Sequence, residues 1–400
     1  MDTLSLILVI AGVIIALIFN FSNGRNIASN AVGTAVATHA ISPGKAMILA
    51  TICCLIGPFI FSTAVAKTIG SGIVNPIYIT PILMLVAAIS AIACVTFYTH
   101  IGIPVSATRA LVGGMVGAGI AAAGWGSIFW PSVEELLGTL YYMIGGAIVG
   151  VILGLIAALL LKESIWKHIG AGAGFCSILA IPVAMIVGIF AGGSIFGILL
   201  FVLVSPVLGI VISYIFTVIL ARIVARCAKG STLKLNIWFK RLQVVGAAAL
   251  ALTIGGKDGQ DGMGIIFAIM VSVSIVGAND PLPFWIVVVA AVSLAAGMLF
   301  GGRKIIKNVG SGITRVMPYQ GVASSLASSA VLTLTTLFGI PVSTSNAVGG
   351  AIIGTGMTRG ARQVNWKMSR KMIIAWLVTI PFAALVGWVI FFIIAKIFGL

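Results

Sequence analysis

The sequence predicts an all-α integral membrane protein built from two inverted repeats with broken helices and helical hairpins, with about 10–12 membrane segments. The first observation is composition: 60% of the 400 residues are hydrophobic and only 8% are charged. Soluble globular chains carry about a quarter charged residues. The second is a repeated pentapeptide, GIPVS, at residues 102–106 and again at 339–343. The third is the clustering of the basic residues.

The basic residues indicate which loops face the cytoplasm. The net charge is +16, and 17 of the 23 Lys and Arg residues fall in 162–167, 222–241, 303–315 and 359–371. Such a bias marks the cytoplasmic loops of membrane proteins. We therefore predict a multi-pass protein of the plasma (cell inner) membrane whose basic loops lie near anionic lipid. Nucleic acid is not an expected partner.

The first half of the chain is predicted to cross the membrane as follows. Asp2 is the only charge in the first twenty residues, which therefore read as a membrane helix and not as a cleaved signal. A broken crossing covers 3–38, with an interruption around 24–33. After it come a single crossing at 46–66, a hairpin at 80–123 with Pro104 at its break, and a crossing at 139–161.

The second half repeats this plan. The expected segments are a crossing at 242–277 interrupted at 255–264, an outside turn at 279–281, a return at 282–301, a hairpin at 321–357 and a crossing at 372–398. Gly24 and Pro104 lie 80 residues apart, and Gly255 and Pro341 lie 86 apart. Counting crossings gives the two copies opposite orientations, the architecture that supports alternating access in secondary transporters.

Three units follow from this threading. Residues 1–161 form the first inverted-repeat half, and 240–400 form the second. Residues 162–239 supply connecting helices, near 171–193 and 195–221, and a basic cytoplasmic loop. No soluble domain is expected.

Two carboxylates lie inside a predicted crossing. Of seven acidic residues, only Asp258 and Asp261 avoid the predicted ends and loops. An ionisable group at membrane depth costs several kcal/mol and is usually functional. The surrounding glycines are expected to open the helix, so that backbone groups become free to bind an ion. The alternative is a short turn outside the membrane, which the threading disfavours.

The matching stretch of the first half carries one charge, Arg25. An arginine fork can bind a tetrahedral oxyanion through two hydrogen bonds. Alternatively, Arg25 extends to the membrane interface. The sequence leaves both interpretations open.

Each Pro-Val-Ser element precedes an apolar helix, and the elements continue as Ser106-Ala107-Thr108-Arg109 and Ser343-Thr344-Ser345-Asn346. A serine or threonine there can cap the helix, and the N-terminal amides attract anions. Simple capping would explain one such element. Two of them at matched positions favour a shared anion site.

These stretches together resemble the inorganic phosphate transporter (PiT) family. Residues 24–34 resemble its signature GANDxANAxGT, and 255–264 are similar to its second signature, GANDAQKSMG. Both Pro-Val-Ser elements resemble its PVSTTH, and 312–330 resembles the approach to the second hairpin. The resemblance covers nearly the whole chain apart from the middle helices. A literal Gly-Ala-Asn-Asp at 277–280 lies in a predicted loop, out of register with the repeat.

The resemblance implies cation-coupled uptake of phosphate, by sodium or proton symport, at a site between the halves, with no enzymatic activity and no cofactor beyond the coupling ion. Asp258, with Asn26, is the implied ligand of a coupling cation. The expected substrate-binding residues are those that match the family motifs, together with neighbouring polar residues. They are Arg25, Asn26, Ser29, Asn30, Ser106, Thr108, Gln260, Ser343, Thr344 and Ser345.

Departures from the family pattern add positive charge. Ile27 replaces the aspartate of the first signature, Lys257 replaces the asparagine of the second, and Arg109 replaces a histidine of the first hairpin. We hypothesise that Arg25 or Lys257 substitutes for one coupling ion while Asp258 keeps the other. Which of Arg25, Lys257 and Arg109 contacts substrate, and which pairs with Asp258 or Asp261 instead, stays open.

Other functions are weaker alternatives. A sulfate or other oxyanion permease of the same fold would meet the same requirements, although Asp258 and Asp261 favour phosphate because phosphate can donate a hydrogen bond. A membrane aspartyl protease needs two facing carboxylates with opposed pKa values, and these two share one segment. A passive channel needs no paired broken helices. A homodimer is left open.

Overall fold

The computed structural model describes residues 3–101, 103, 105–161, 164–191, 194–227, 232–301 and 312–398. Within these ranges the chain is almost entirely α-helical, with one isolated antiparallel bridge between Val74 and Ile128. The described helices are α1 (Thr3–Ala37), α2 (Pro43–Ile60), α3 (Ala64–Ser71), α4 (Pro81–Ile101), α5 (Ala107–Ala123), α6 (Val133–Leu161), α7 (Ile165–Ile186), α8 (Ile195–Cys227), α9 (Thr232–Ser272), α10 (Phe284–Leu299), α11 (Pro318–Leu337), α12 (Thr344–Met357) and α13 (Trp366–Phe398).

The helices confirm a multi-pass membrane protein. Eight of those described are long and apolar enough to span a bilayer, and α5 and α10 are shorter apolar helices. Both predicted hairpins are present, as α4 followed by α5 and as α11 followed by α12. Residues 341–343, including Pro341, are not helical. Gly102 and Pro104 lie outside the described residues, as do Asp2 and Glu163.

The predicted interruptions at 24–33 and 255–264 are wrong, because α1 and α9 run through them as continuous helices. The glycines serve helix packing instead. A Cβ on Gly24 would lie 2.2 Å from the Leu294 carbonyl oxygen of α10, and one on Gly255 would lie 2.2 Å from the Cys54 carbonyl oxygen of α2. In a membrane, small residues allow helix backbones to approach closely. The sequence pattern marks helix crossings here, not openings.

Two other segments also differ from the prediction. The single crossing at 46–66 is divided, because α2 ends at Ile60 and α3 begins at Ala64. The basic segment 222–241 is mostly helix, formed by the end of α8 and the start of α9, so these helices carry their charges beyond the apolar span. The basic stretch 303–311 lies outside the described residues. The Gly-Ala-Asn-Asp at 277–280 is an exposed turn in which the Gly277 amide donates to Asp280.

The central helices α1 and α9 lie antiparallel. At the end that carries the basic residues, Thr38, which directly follows α1, contacts Gln243 of α9, and at the opposite end Gly12 faces Ile269. Each also packs on a helix from the other half, α1 on α10 and α9 on α2. An inverted duplication would produce this reciprocal packing, and the division into halves at 1–161 and 240–400 stays a prediction.

Candidate functional site

The tips of both hairpins meet α1 at two asparagines. The side-chain amide of Asn26 donates to the Val105 carbonyl, just before α5, at 2.7 Å. The side-chain amide of Asn30 donates to the Ser345 hydroxyl, in the first turn of α12, at 3.0 Å. The Ser345 hydroxyl in turn donates to the Val105 carbonyl at 3.4 Å. This short chain of hydrogen bonds therefore links α1 to both hairpins.

The same hairpins meet α9 at its two aspartates. The Thr108 hydroxyl of α5 donates to Asp261 Oδ2 at 2.6 Å, and the Thr344 hydroxyl of α12 donates to Asp258 Oδ2 at 2.7 Å. All four side chains are buried. The structure thus brings together the four segments that the sequence singled out, although α1 and α9 arrive there as intact helices.

Lys257 lies between the two aspartates. Its ammonium donates to Asp258 Oδ1 at 2.7 Å and to the Thr108 hydroxyl at 2.5 Å, and it forms an ion pair with Asp261 Oδ1 at 3.6 Å. Lys257 is completely buried. Because a buried charge needs a compensating partner, the lysine and the aspartates stabilise one another. Asn26 and Asp258 have separate hydrogen-bond partners, so the two predicted cation ligands belong to adjacent networks.

Serines cap the helices that begin at the hairpin tips. The Ser106 hydroxyl accepts a hydrogen bond from the backbone N–H of Arg109, and the Ser343 hydroxyl accepts one from the backbone N–H of Asn346, each at 3.3 Å. These bonds are N-caps, as the simpler alternative expected. The positive ends of α5 and α12 nevertheless point at the same cluster, where they favour negative charge.

The side chains of Gln260 and Ser29 form hydrogen bonds with backbone groups. Gln260 Oε1 accepts from the Val65 and Ala66 amides at the start of α3, and its amide donates to the Gly256 carbonyl. The Ser29 hydroxyl donates to the Asn26 carbonyl of its own helix. Gln260 therefore anchors α3 to α9 beside the carboxylate cluster.

Arg25 does not join this cluster. Its side chain is exposed, whereas the next residue, Asn26, is fully buried. Successive residues of a helix point about 100° apart, so burying Asn26 against the hairpin turns Arg25 outward. The placement favours the alternative in which Arg25 reaches an interface.

Arg109 and Asn346, which stand where the resembled motif has histidines, bind neighbouring helices. Arg109 Nη1 donates to the Trp376 carbonyl of α13 at 3.1 Å, and the side-chain amide of Asn346 donates to the Val202 carbonyl of α8 at 3.2 Å. Both side chains are buried. Each hairpin is thereby fixed to a long helix behind it.

A polar stripe on α1 was missed by the sequence analysis. Asn26, Asn30 and Thr34 recur every four residues on one face of α1, and Thr38, directly after α1, continues the spacing; all four are buried. Thr38 donates to Gln243 Oε1 of α9 at 2.7 Å, while Gln243 Nε2 has no partner among the described residues. The spacing of four was visible in the sequence, whereas the contact with Gln243 was not.

The stripe ends at a cavity of about 580 Å³ at the basic end of the protein. Thr38 is part of its wall. The other lining residues are Ala37, His39, Val224, Leu235, Asn236, Phe239, Lys240, Val316, Met317, Pro318 and Tyr319. Buried polar side chains therefore connect the central cluster with an open space on the predicted cytoplasmic side.

Comparison with known proteins identifies close similarities over the whole chain. A family model described as "Phosphate transporter family" matches residues 23–179 and 168–387. A protein of Rhizobium meliloti (strain 1021) named "Probable low-affinity inorganic phosphate transporter" is 33% identical, over 98% of this chain and 97% of its own length. A Bacillus subtilis (strain 168) protein of the same name is 32% identical, over 100% of both.

One solved structure shares the fold. It is described as "The sodium-dependent phosphate transporter" and superimposes with a TM-score of 0.69 over 98% of this chain and 99% of its own, at 22% identity.

Proposed function

The chain belongs to the phosphate transporter family, and we propose that it takes up inorganic phosphate by cation-coupled alternating access. The family consists of transporters and not of enzymes. The protein is a multi-pass protein of the plasma membrane.

The choice of phosphate over sulfate depends mainly on Asp261. Its Oδ2 accepts from Thr108, but its Oδ1 is buried without a hydrogen-bond partner among the described residues, with only the longer ion pair to Lys257. A protonated phosphate oxygen can donate to this carboxylate oxygen, whereas sulfate carries no proton near neutral pH. Leaving such an acceptor unmatched costs about 1–3 kcal/mol, which supports phosphate as the substrate.

The anion-binding groups come from both hairpins. In the structure the Thr108 and Thr344 hydroxyls donate to the carboxylates, and the Asn30 side-chain amide and the Ser345 hydroxyl donate within the adjacent network. An entering anion would accept hydrogen bonds from these groups in exchange. The N-terminal ends of α5 and α12 add favourable potential for an anion. The names of the relatives from Rhizobium and Bacillus also refer to inorganic phosphate.

Cation coupling is supported by the charge of the cluster. Lys257, Asp258 and Asp261 together carry one net negative charge, to which the substrate adds more. An entering sodium ion or proton would offset part of this charge in a site where water screens poorly. The solved relative is described as sodium-dependent, and we propose that a sodium ion or a proton accompanies phosphate here.

Alternating access is supported by a difference between the two ends of the α1–α9 contact, which is polar at one end and apolar at the other. On the predicted cytoplasmic side, where the polar stripe reaches the cavity, the contact is a hydrogen bond from the Thr38 hydroxyl to Gln243 Oε1. At the other end, Gly12 packs directly on the apolar Ile269. We propose that phosphate leaves along the α1 stripe when the Thr38–Gln243 contact opens.

Uptake of labelled phosphate and labelled sulfate into proteoliposomes tests the substrate. The wild-type protein is expected to accumulate phosphate in preference to sulfate. Thr344→Val, which removes the donor to Asp258, should weaken phosphate uptake by about 10- to 100-fold, because hydrogen bonds to charged groups contribute about 1.5–3 kcal/mol. Thr344→Ser keeps the hydroxyl and is the control. Equal accumulation of sulfate, or equal behaviour of the valine and serine variants, would contradict the proposal.

A further inference from the structure

We propose that the Lys257 ammonium is a built-in cation that occupies the place of one transported monovalent cation, so that the protein moves one cation fewer per anion than a variant without it. The inference assumes the transport proposed above and concerns its coupling. It depends on the surroundings of Lys257, on the charge balance of the cluster and on the position of the other buried cation.

The surroundings of Lys257 are those of a bound cation. Three oxygens approach the ammonium, from Asp258 at 2.7 Å, Thr108 at 2.5 Å and Asp261 at 3.6 Å. Carboxylate and hydroxyl oxygens are the ligands that hard metal cations also select. The residues come from two elements, α9 and the start of α5. With the ammonium among these oxygens, a sodium ion cannot occupy the same point.

The charge balance explains why a cation is needed there. Asp258 and Asp261 lie on one helix, and both are buried. Two uncompensated buried carboxylates would each cost several kcal/mol. The ammonium compensates one of the two charges permanently, whichever way the site faces. Only one negative charge is then left for a transported cation to balance.

The nearby Arg109 does not compensate the charge of Asp258 and Asp261. Its guanidinium donates to the Trp376 carbonyl of α13. Exposed Arg25 lies outside the cluster. Of Lys257, Arg109 and Arg25, the geometry therefore assigns the role of a built-in cation to Lys257.

The decisive variant is Lys257→Asn, because asparagine removes the charge, shortens the side chain and supplies a neutral amide oxygen. If a sodium ion then enters the vacated place, one additional ion accompanies each phosphate. A tenfold inward sodium gradient should raise the limiting phosphate accumulation about tenfold more in this variant than in the wild-type protein. Lys257→Met, which removes the charge without supplying an oxygen, is the matched control and should show no such gain.

A binding measurement covers the case in which the variant transports poorly. Sodium that binds only the folded protein raises its unfolding temperature. We expect a larger sodium-dependent rise for purified Lys257→Asn than for the wild-type protein, with potassium as the comparison salt. If the asparagine variant shows neither added sodium dependence of accumulation nor added stabilisation by sodium, the inference is wrong. If the wild-type protein moves no phosphate at all, the proposed function itself fails.

Discussion

Gly255→Ala is expected to destabilise the protein, although it replaces glycine by the residue with the highest helix propensity. The new Cβ would lie 2.2 Å from the Cys54 carbonyl oxygen and 2.6 Å from its Cα. Ordinary van der Waals contact needs about 3.5 Å, so α2 and α9 must separate by about 1 Å. Both obstructing atoms are backbone, and no side-chain rotation can relieve the clash.

The magnitude follows from two opposed effects. Overpacking of this kind costs about 1–3 kcal/mol, and here the upper end applies because two rigid helices must move. Alanine recovers about 1 kcal/mol of helix propensity. The expected net loss is about 2 kcal/mol, a change of about 30-fold in the folded-to-unfolded ratio.

Unfolding of the purified protein in mixed micelles, followed by tryptophan fluorescence, measures the effect. Gly145→Ala is the matched control, because Gly145 lies on α6 and a Cβ there would meet nothing within 4 Å. That variant should be neutral or slightly more stable. If Gly255 instead served to open α9, alanine would stabilise the helix. Stability of Gly255→Ala equal to or above that of Gly145→Ala would therefore refute the packing argument.

Two further predictions concern the transport route. Arg25→Gln should leave the KM for phosphate unchanged, because Arg25 is exposed. A marked rise in KM would show that Arg25 does contribute to phosphate binding. Thr38→Val should speed phosphate efflux from preloaded proteoliposomes about fivefold, because it removes the hydrogen bond, of about 1 kcal/mol, that holds Gln243 against the end of the polar stripe. Efflux at the wild-type rate would mean that this contact does not close the inner end.

The sequence singled out several of the residues that the structure brings together in the central cluster, and their role in transport stays a prediction. Thr108, Asp258 and Thr344 were all singled out, and the structure joins them in one network with Lys257, while Asn30 belongs to the adjacent network with Ser345. Membrane depth made this possible, since a polar side chain is costly in lipid and needs a partner or a function. Polar residues inside apolar runs therefore mark the site.

The errors arose where one residue type serves two purposes. Glycine permits both a helix break and a close helix crossing, and the sequence pattern alone does not distinguish them. At Gly24 and Gly255 only the neighbouring backbones, Leu294 and Cys54, show that the purpose is packing. Arg25 was ambiguous for a similar reason, because its direction depends on which face of α1 the hairpin covers.

The sequence by itself determined the membrane setting, the hairpins and the polar residues of the candidate site, because hydrophobicity, proline breaks and charged residues inside apolar runs are properties of local sequence. Only the tertiary structure decided that α1 and α9 stay continuous, that Lys257 lies between Asp258 and Asp261, and that Gln243 contacts Thr38 at the end of the polar stripe. These are contacts between distant segments or rotations about a helix axis. Their geometry is fixed when the helices pack together.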